Sequence, residues 1–181
     1  MYYSAYYPSP VGDLTLACDG EGKALVGLWI AGQKYFGGTL PEAMTPGEDI
    51  PLFKTVKNWL DRYFAGETPA ISELPLAPIG TAFRQEVWRI LQSIPYGQVM
   101  TYGGIAAVMA EKMGRKTMSG QAVGGAVGHN PISIIIPCHR VIGADGSLTG
   151  FAGGIKTKMQ LLKLEGVDMS GMFVPKKGTA L

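Results

Sequence analysis

The sequence predicts an α/β fold of the α+β type, in which a small mixed N-terminal domain precedes a mostly helical C-terminal domain with a helix-turn-helix. Three observations support this prediction. Strand-like patterns occupy residues 1–30, helical spacing of apolar residues recurs from Phe53 onward, and prolines punctuate residues 69–78 between them. We therefore expect two domains, residues 1–79 and residues 80–181.

The first thirty residues predict an antiparallel meander of three strands. Residues 2–7 are rich in aromatic side chains, while residues 14–18 and 25–30 are mostly apolar. A glycine-containing turn at residues 19–22 joins the second strand to the third. Cys18 lies near a strand end, and we expect it to be structural.

The rest of the first domain predicts a surface loop and one helix. Residues 37–51 contain the glycine, proline and acidic residues typical of loops, and Gly66 is placed to end the helix. An aromatic stripe at helical spacing is usually core, so nothing in residues 1–66 suggests catalysis. The stripe consists of Phe53, Val56, Trp59, Leu60, Tyr63 and Phe64.

Four helices are predicted in the second domain. Thr81, Thr101 and Ser119 are the expected N-caps of the first three, and the third spans residues 121–127. The last spans residues 155–164 and is closed by a glycine. The second and third helices are short and joined by a glycine-containing link, which is typical of a helix-turn-helix.

Gly124 and Gly125 are unusual because they fall in the middle of the third helix. Each costs about 1 kcal/mol relative to alanine there, so some contact must favour a bare backbone. Close approach of another helix explains this, and close approach of a nucleic-acid backbone explains it equally well. The sequence leaves both explanations open.

Composition indicates a globular protein, since 46% of residues are hydrophobic and 17% are charged. No apolar run is long enough to cross a membrane and no export signal is evident, so we expect a cytoplasmic protein without a membrane partner. The sequence does not exclude a disulfide between its two cysteines, but two reduced thiols fit this compartment better. Only His129 and His139 occur, in no zinc-ligand spacing, so no metal is expected.

Charge divides the chain unequally. Residues 1–80 carry five Lys/Arg and nine Asp/Glu, a net −4, while residues 81–181 carry eleven Lys/Arg and five Asp/Glu, a net +6. A positive second half suits a polyanionic partner such as nucleic acid, although a solvated basic face is the commoner meaning.

Cys138 is the strongest candidate for chemistry. The apolar run Ile134–Ile136 predicts a buried strand that stops at Pro137, which puts the thiol at a turn beside His139 and Arg140. A buried cysteine after such a run is often core, but core packing does not call for an imidazole and a guanidinium next to it. Neighbouring side chains of an extended chain point to opposite faces, so a water or a third group is needed to couple thiol and imidazole.

Several motifs resemble those of the O6-alkylguanine-DNA alkyltransferases, the methylated-DNA–protein-cysteine methyltransferase family. They are Asn130-Pro131, Pro137-Cys138-His139-Arg140-Val141, Leu161 to Gly166, and Ser9-Pro10-Val11-Gly12 near the N-terminus. The resemblance covers essentially the whole chain. It implies a ribonuclease H-like N-terminal domain and a monomer that needs no cofactor. It also implies DNA repair by irreversible, single-turnover transfer of an alkyl group from O6-alkylguanine in double-stranded DNA to Cys138.

The resemblance also implies residue roles. Cys138 is the acceptor, His139 (through a water) and Glu165 generate its thiolate, and Asn130 holds the turn. The residues implied to bind the alkylated base are Tyr102, Val141, Phe151, Ala152 and Gly153. Those implied to contact DNA are Thr101, Gln121, Ala122, Gly124, Gly125, Ala126, Arg140, Arg115 and Lys116.

Particular contacts follow from the same resemblance. Tyr102 supports nucleotide rotation and contacts guanine N3, the Cys138 and Val141 carbonyls accept from the guanine amino group, and the Ala152 amide donates to O6. The base must be flipped out of the duplex to reach the thiol.

Two positions depart from the family pattern. Gln121 stands where the family usually has an arginine that fills the space left by the flipped base, so weaker duplex binding is expected. Phe151 stands where a tyrosine is common, which makes the pocket more apolar. The 111–118 loop is also longer than usual, and we expect its Lys112, Arg115 and Lys116 to reach phosphates.

Two other functions remain as alternatives at this stage. A cysteine hydrolase or acyltransferase would use the same thiol and imidazole over many turnovers. A noncatalytic module would bind DNA lesions without transferring anything. Whether O4-alkylthymine is also a substrate is not decided by the sequence.

Overall fold

The computed structural model describes residues 1–176, and its N-terminal part is built on a four-stranded sheet. Strands β1 (Tyr2–Ser9), β2 (Gly12–Asp19) and β3 (Leu25–Ile30) form the predicted antiparallel meander. A short strand, β4 (Met44–Pro46), pairs parallel to β1 within the segment predicted to be a loop. The sheet order is β3-β2-β1-β4.

Helix α1 (Pro51–Phe64) carries the predicted apolar stripe into the core. Leu52 and five members of the stripe are buried, whereas Phe64 is only half-buried and packs at the edge. A proline in the first turn suits the helix start because the missing N–H has no intrahelical partner there. Gly66, at φ +87°, follows the helix end as predicted.

The C-terminal part contains the four predicted helices: α2 (Ala82–Gln92), α3 (Tyr102–Lys112), α4 (Gly120–Gly128) and α5 (Ile155–Leu164). The three predicted N-caps are confirmed, because each hydroxyl accepts a hydrogen bond from a backbone amide of the first turn. They are Thr81, Thr101 and Ser119. A two-stranded parallel ladder pairs β5 (Met100–Thr101) with β6 (Val141–Ile142).

The strand predicted at Ile134–Ile136 is wrong. These residues are buried, but they form irregular turns, and Ile134 has a positive φ of 72°. The segment before the cysteine instead docks on the outer edge of β3. Leu28 donates its N–H to the Pro131 carbonyl at 2.8 Å, and Ser133 donates to the Leu28 carbonyl at 3.0 Å. The apolar run is therefore buried by docking rather than by strand pairing along its length.

One hydrophobic cluster joins the two parts of the chain. It includes Leu14 and Leu28 from the sheet, Trp88 from α2 and Ile132 from the segment before the cysteine. The sheet thus supports the loop that carries Cys138. Within residues 1–176, no helix is long and apolar enough to cross a membrane.

Candidate active site

Cys138 begins a single 3₁₀ turn, Cys138–Arg140, immediately after the docked segment. Its side chain is only 4% exposed. Asn130 holds this segment from inside, since its Nδ2 donates to the Ile136 carbonyl at 2.7 Å and its Oδ1 accepts from the Ile132 amide at 3.0 Å. Asn130 is therefore placed to hold the turn, as the resemblance implies.

Glu165 immediately follows α5, and its carboxylate binds both residues that follow the cysteine. Its Oε2 is 3.0 Å from His139 Nε2, and Arg140 Nε lies 2.8 Å from Oε1 and 3.1 Å from Oε2. Arg140 also donates to the Ile94 carbonyl at 2.7 Å. The side chains of His139, Arg140 and Glu165 are all buried. The Glu165 carboxylate therefore fixes the His139 imidazole in a position shielded from solvent.

The imidazole of His139 is oriented as a proton acceptor. Because a carboxylate only accepts, Nε2 carries the hydrogen toward Glu165, and Nδ1 is the nitrogen left to accept a proton. Within the described part of the chain, Nδ1 is buried without a hydrogen-bond partner. Burial lowers the pKa of His139 below its ordinary value, opposed by the Glu165 carboxylate. The ring of Phe151 packs edge-on against it, with centroids 6.4 Å apart.

Burial raises the pKa of Cys138, while the Asn130 side chain and the Lys158 ammonium group act in the opposite direction. For Glu165, burial alone would raise the pKa, but bonds from His139 and Arg140 outweigh it and hold that pKa below its usual value. Thiol and imidazole are therefore both neutral at rest, and Glu165 is ionised. Both cysteines are free thiols, and Cys18 is buried in β2 as expected of a structural residue.

Lys158 is a member of the site that the sequence analysis missed. It is fully buried in α5, and its Nζ donates to the Val141 carbonyl and, at 2.9 Å, to the Thr149 carbonyl. Burial lowers its pKa to about 8, and the negative charge that Cys138 carries as a thiolate acts against that decrease. One signal was present: Lys158 is three and four residues before Leu161 and Leu162, which places it on the buried face of its helix.

Tyr102, at the start of α3, lines an open cavity of ≈ 370 Å³, and so does Thr149, whose carbonyl Lys158 binds. The Tyr102 hydroxyl donates to the Thr149 carbonyl at 2.8 Å, and burial raises the pKa of this phenol, which keeps its proton available. Ala152 also lines the cavity. Other residues on its wall are Gly120, Gly124, Gly125, Gly128, His129, Thr149 and Gly150.

Three predicted substrate-binding residues have packing roles that the sequence did not reveal. The Val141 carbonyl already accepts from Lys158, which leaves one lone pair for another donor. Phe151 is buried. A Cβ at Gly153 would lie 2.7 Å from the Phe151 ring and 2.8 Å from the Ile30 side chain, so a larger residue would have to displace them.

One exposed face of helix α4, which carries small side chains, borders the cavity. Gln121, Ala122 and Gly125 are exposed, and nothing lies within 4 Å of a Cβ built at Gly124 or Gly125. Close approach of another helix therefore does not explain these glycines. The open space leaves room for an outside molecule, which is the other explanation that the sequence offered.

Two predicted DNA contacts do not fit their positions. Ala126 is 2% exposed and faces the core, where its carbonyl accepts from Trp88 Nε1 at 2.8 Å. Arg140 is 6% exposed and its guanidinium is committed to Glu165 and Ile94, so the charge expected to meet phosphate instead balances a buried carboxylate. Thr101 is half-buried and uses its hydroxyl as the α3 cap.

The basic link between α3 and α4 spans residues 113–119. Arg115 and Lys116 are exposed there. Lys112 falls at the end of α3, 3.4 Å from Glu86 Oε2, so it belongs to the helix rather than to the link. Within residues 1–176, no group of three or more His, Cys, Asp or Glu side chains is arranged to hold a metal ion.

The fold and site define a class in which a ribonuclease-like domain is joined to a DNA-binding domain that carries the cysteine. Residues 1–78 match the 6-O-methylguanine DNA methyltransferase ribonuclease-like domain, and residues 82–167 match the DNA-binding domain of the same family. The chain therefore belongs to the methylated-DNA–protein-cysteine methyltransferase family, as its motifs indicated.

Individual relatives agree with this membership. The methylated-DNA–protein-cysteine methyltransferase of Haemophilus influenzae is 44% identical over 91% of this chain and 86% of its own length. That of Methanosarcina acetivorans is 45% identical over 92% of this chain and 99% of its own. The crystal structure of Mycobacterium tuberculosis OGT in complex with DNA superimposes with a TM-score of 0.75, at 42% identity over 91% of this chain and 92% of that one.

Proposed function

We propose that this protein repairs DNA by transferring an alkyl group from O6 of guanine to the Sγ of Cys138. The observation that carries the proposal is the oriented imidazole of His139, whose Nε2 is held by Glu165 at 3.0 Å while Nδ1 stays unpaired beside the acceptor turn. A thiol with a raised pKa needs such a base, because the thiolate is the nucleophile.

The proposed step is an in-line displacement. The Cys138 thiol gives its proton to Nδ1 of His139 through a water, and Glu165 stabilises the resulting imidazolium. The thiolate attacks the alkyl carbon, the S–C bond forms, and the C–O6 bond breaks with its electron pair going to guanine. Tyr102, whose raised pKa keeps it protonated, turns its hydroxyl from the Thr149 carbonyl and donates a hydrogen bond at N3 as negative charge develops on the base.

Other residues hold the base. The Ala152 amide donates to O6, and the Cys138 and Val141 carbonyls accept from the guanine amino group. Phe151 and Gly153 shape the pocket beside His139. Lys158 joins this set because its ammonium group steadies the Val141 and Thr149 carbonyls and favours the thiolate by charge.

The reaction ends with a thioether, which the imidazole and carboxylate have no means to hydrolyse, so each molecule acts once. No cofactor is needed, since substrate and thiol supply every atom. We further propose that the protein is a cytoplasmic monomer and that its domains meet near residues 79 and 80. The family matches, which end at residue 78 and resume at residue 82, support that boundary.

The proposed partner is double-stranded DNA, and α4 is the helix that we propose inserts into one of its grooves. Gln121 and Ala122 lie at the exposed start of this helix, and Gly124 and Gly125 let the nucleic-acid backbone approach closely. Arg115 and Lys116 on the exposed link are the proposed phosphate ligands. Charge reversal of both residues, together with Lys112, should flatten the salt dependence of binding, and an unchanged slope would refute this assignment.

A stoichiometric experiment tests the function. The protein is incubated with a duplex that carries labelled O6-methylguanine, and the label is located by peptide mass spectrometry. We expect one label per molecule, on Cys138, and none in Cys138→Ser, which should still bind the duplex. Repeated turnover would indicate the hydrolase alternative, and binding without transfer by the unaltered protein would indicate the lesion-binding alternative. An O4-methylthymine duplex, run in parallel, tests the second substrate.

A further inference from the structure

The cavity lined by Tyr102 and Ala152 has a wall that comes from the N-terminal part of the chain. Lys34 and Tyr35, in the segment after β3, line the ≈ 370 Å³ space together with Tyr102, Gly124 and other residues of the C-terminal part. Nothing in the motifs of residues 1–66 had suggested a role in chemistry. The sheet therefore does more than support the cysteine loop, because the segment that leaves it also lines the cavity.

Tyr35 is held in an unusual conformation. Its φ is +58°, a region that side chains with a Cβ seldom adopt, and its side chain remains 53% exposed. The phenol stacks on the imidazole of His129, with ring centroids 3.9 Å apart and an interplanar angle of 22°. His129 is fixed in turn, since its Nδ1 lies 2.6 Å from the Gly125 carbonyl. A strained, exposed aromatic ring held at a cavity suggests a ligand contact.

The segment that contains Lys34 and Tyr35 is hydrogen-bonded to Ala152, next to which guanine O6 is expected to lie. The Lys34 amide donates to the Ala152 carbonyl at 3.1 Å, and Ala152 is the residue proposed to donate its own amide to O6. Gln33 accepts from the Ser133 hydroxyl at 3.2 Å, five residues before the nucleophile. In the proposed complex, this segment therefore lies on the side of the cavity toward which a large O6 substituent would extend.

From these contacts we propose that Tyr35, supported by His129, is a specificity-determining residue that contacts bulky aromatic substituents on O6 of guanine. Its ring offers an aryl group a stacking partner, whereas a methyl group is too small to reach it. This inference rests on the proposed alkyl transfer to Cys138. It gives the N-terminal part of the chain a direct share in substrate selection.

The test compares O6-benzylguanine with O6-methylguanine in the same duplex. Tyr35→Gly removes the ring and also relieves the positive φ, so its thermal unfolding temperature should not fall. We expect its benzyl-to-methyl rate ratio to fall about threefold or more, the size of one lost aromatic contact. Tyr35→Phe keeps the ring and should keep the ratio, as should Tyr6→Ala, which removes an equally exposed tyrosine from β1.

The outcomes separate the two proposals. An unchanged ratio in Tyr35→Gly, an increased ratio, or an equal loss of both rates would overturn the role of Tyr35. In each case stoichiometric methyl transfer by the unaltered protein would leave the proposed function standing. Absence of any Cys138 adduct in the unaltered protein would count against the proposed function, and with it against this inference.

Discussion

Arg140 and Glu165 form a buried ion pair, with Arg140 Nε 2.8 Å from Glu165 Oε1 and 3.1 Å from Oε2. The same carboxylate holds the imidazole of His139 at 3.0 Å. Because one carboxylate binds both residues that follow Cys138, the charge that stabilises the fold also orients the proposed base. Stability and reactivity should therefore respond together when this carboxylate is changed.

Glu165→Gln tests this coupling. The substitution leaves the Arg140 guanidinium buried without its counter-charge, so the free energy of unfolding should fall by about 3–5 kcal/mol. The methyl-transfer rate should fall by about 100-fold or more, as expected when a general base loses its orienting carboxylate. Urea unfolding measures the first effect, and single-turnover kinetics under conditions where the variant is folded measure the second.

Two further variants identify the cause. Glu165→Gln combined with Arg140→Gln removes both charges, so part of the lost stability should return while transfer stays slow. Glu111→Gln, an exposed carboxylate at the end of α3, should change neither property. Equal stability of the single and double variants would show that the ion pair is not the source of the loss.

Lys158→Met should make the Cys138 thiol less acidic. The ammonium group lowers the pKa of a thiol whose pKa burial has already raised, so its removal should slow iodoacetamide labelling of Cys138 at every pH where Lys158 is charged. Lys158 has a pKa of about 8 and is charged mainly below that pH. The difference between variant and unaltered protein should therefore be largest below about pH 8 and shrink above it.

The control for this prediction is Lys156→Met, on the exposed face of the same helix. It removes one positive charge without touching the site, and the rate of Cys138 labelling should stay unchanged. Labelling is quantified on the Cys138 peptide alone, which keeps Cys18 out of the measurement. A labelling rate below about pH 8 that does not fall in Lys158→Met would contradict the assigned electrostatic role.

Gly125→Ala separates folding from DNA binding on α4. A Cβ at this position has open space around it, so alanine should stabilise the helix by about 0.5–1 kcal/mol. The same methyl group stands in the way of a closely approaching nucleic-acid backbone, and duplex affinity should fall. Chemical unfolding and a binding titration at fixed salt measure the two effects. Increased stability with unchanged affinity would mean that the bare helix surface does not meet DNA.

Local signals in the sequence predicted the helices and their ends well, because a cap depends on neighbouring residues only. Thr81, Thr101 and Ser119 each bind an amide of the turn that follows, as their positions indicated. The meander of β1 to β3 was predictable for a similar reason, since alternation and short turns are local. The motif around Cys138 identified the family, and the family matches confirmed it.

Predictions failed where distant residues decide the outcome. The run Ile134–Ile136 has the composition of a strand, but Asn130 and β3 satisfy the backbone near it without strand pairing. Arg140 has the charge of a phosphate ligand, yet Glu165, 25 residues away, binds it inside. Lys158 was missed because lysine is seldom fully buried unless it is paired, and its carbonyl partners come from another segment.

Gln121→Arg should strengthen duplex binding. Gln121 is exposed in the first turn of α4 and carries no charge, whereas arginine adds a cation that would lie close to the DNA backbone in the proposed complex. The dissociation constant should fall at low salt and the gain should shrink as salt rises, while transfer to Cys138 is kept in both proteins. Gln160→Arg adds the same charge on an exposed position of α5 and serves as the control. Because non-specific attraction would act on both variants alike, a gain confined to Gln121→Arg would place the helix start at the DNA, and equal affinities at matched salt would refute that position.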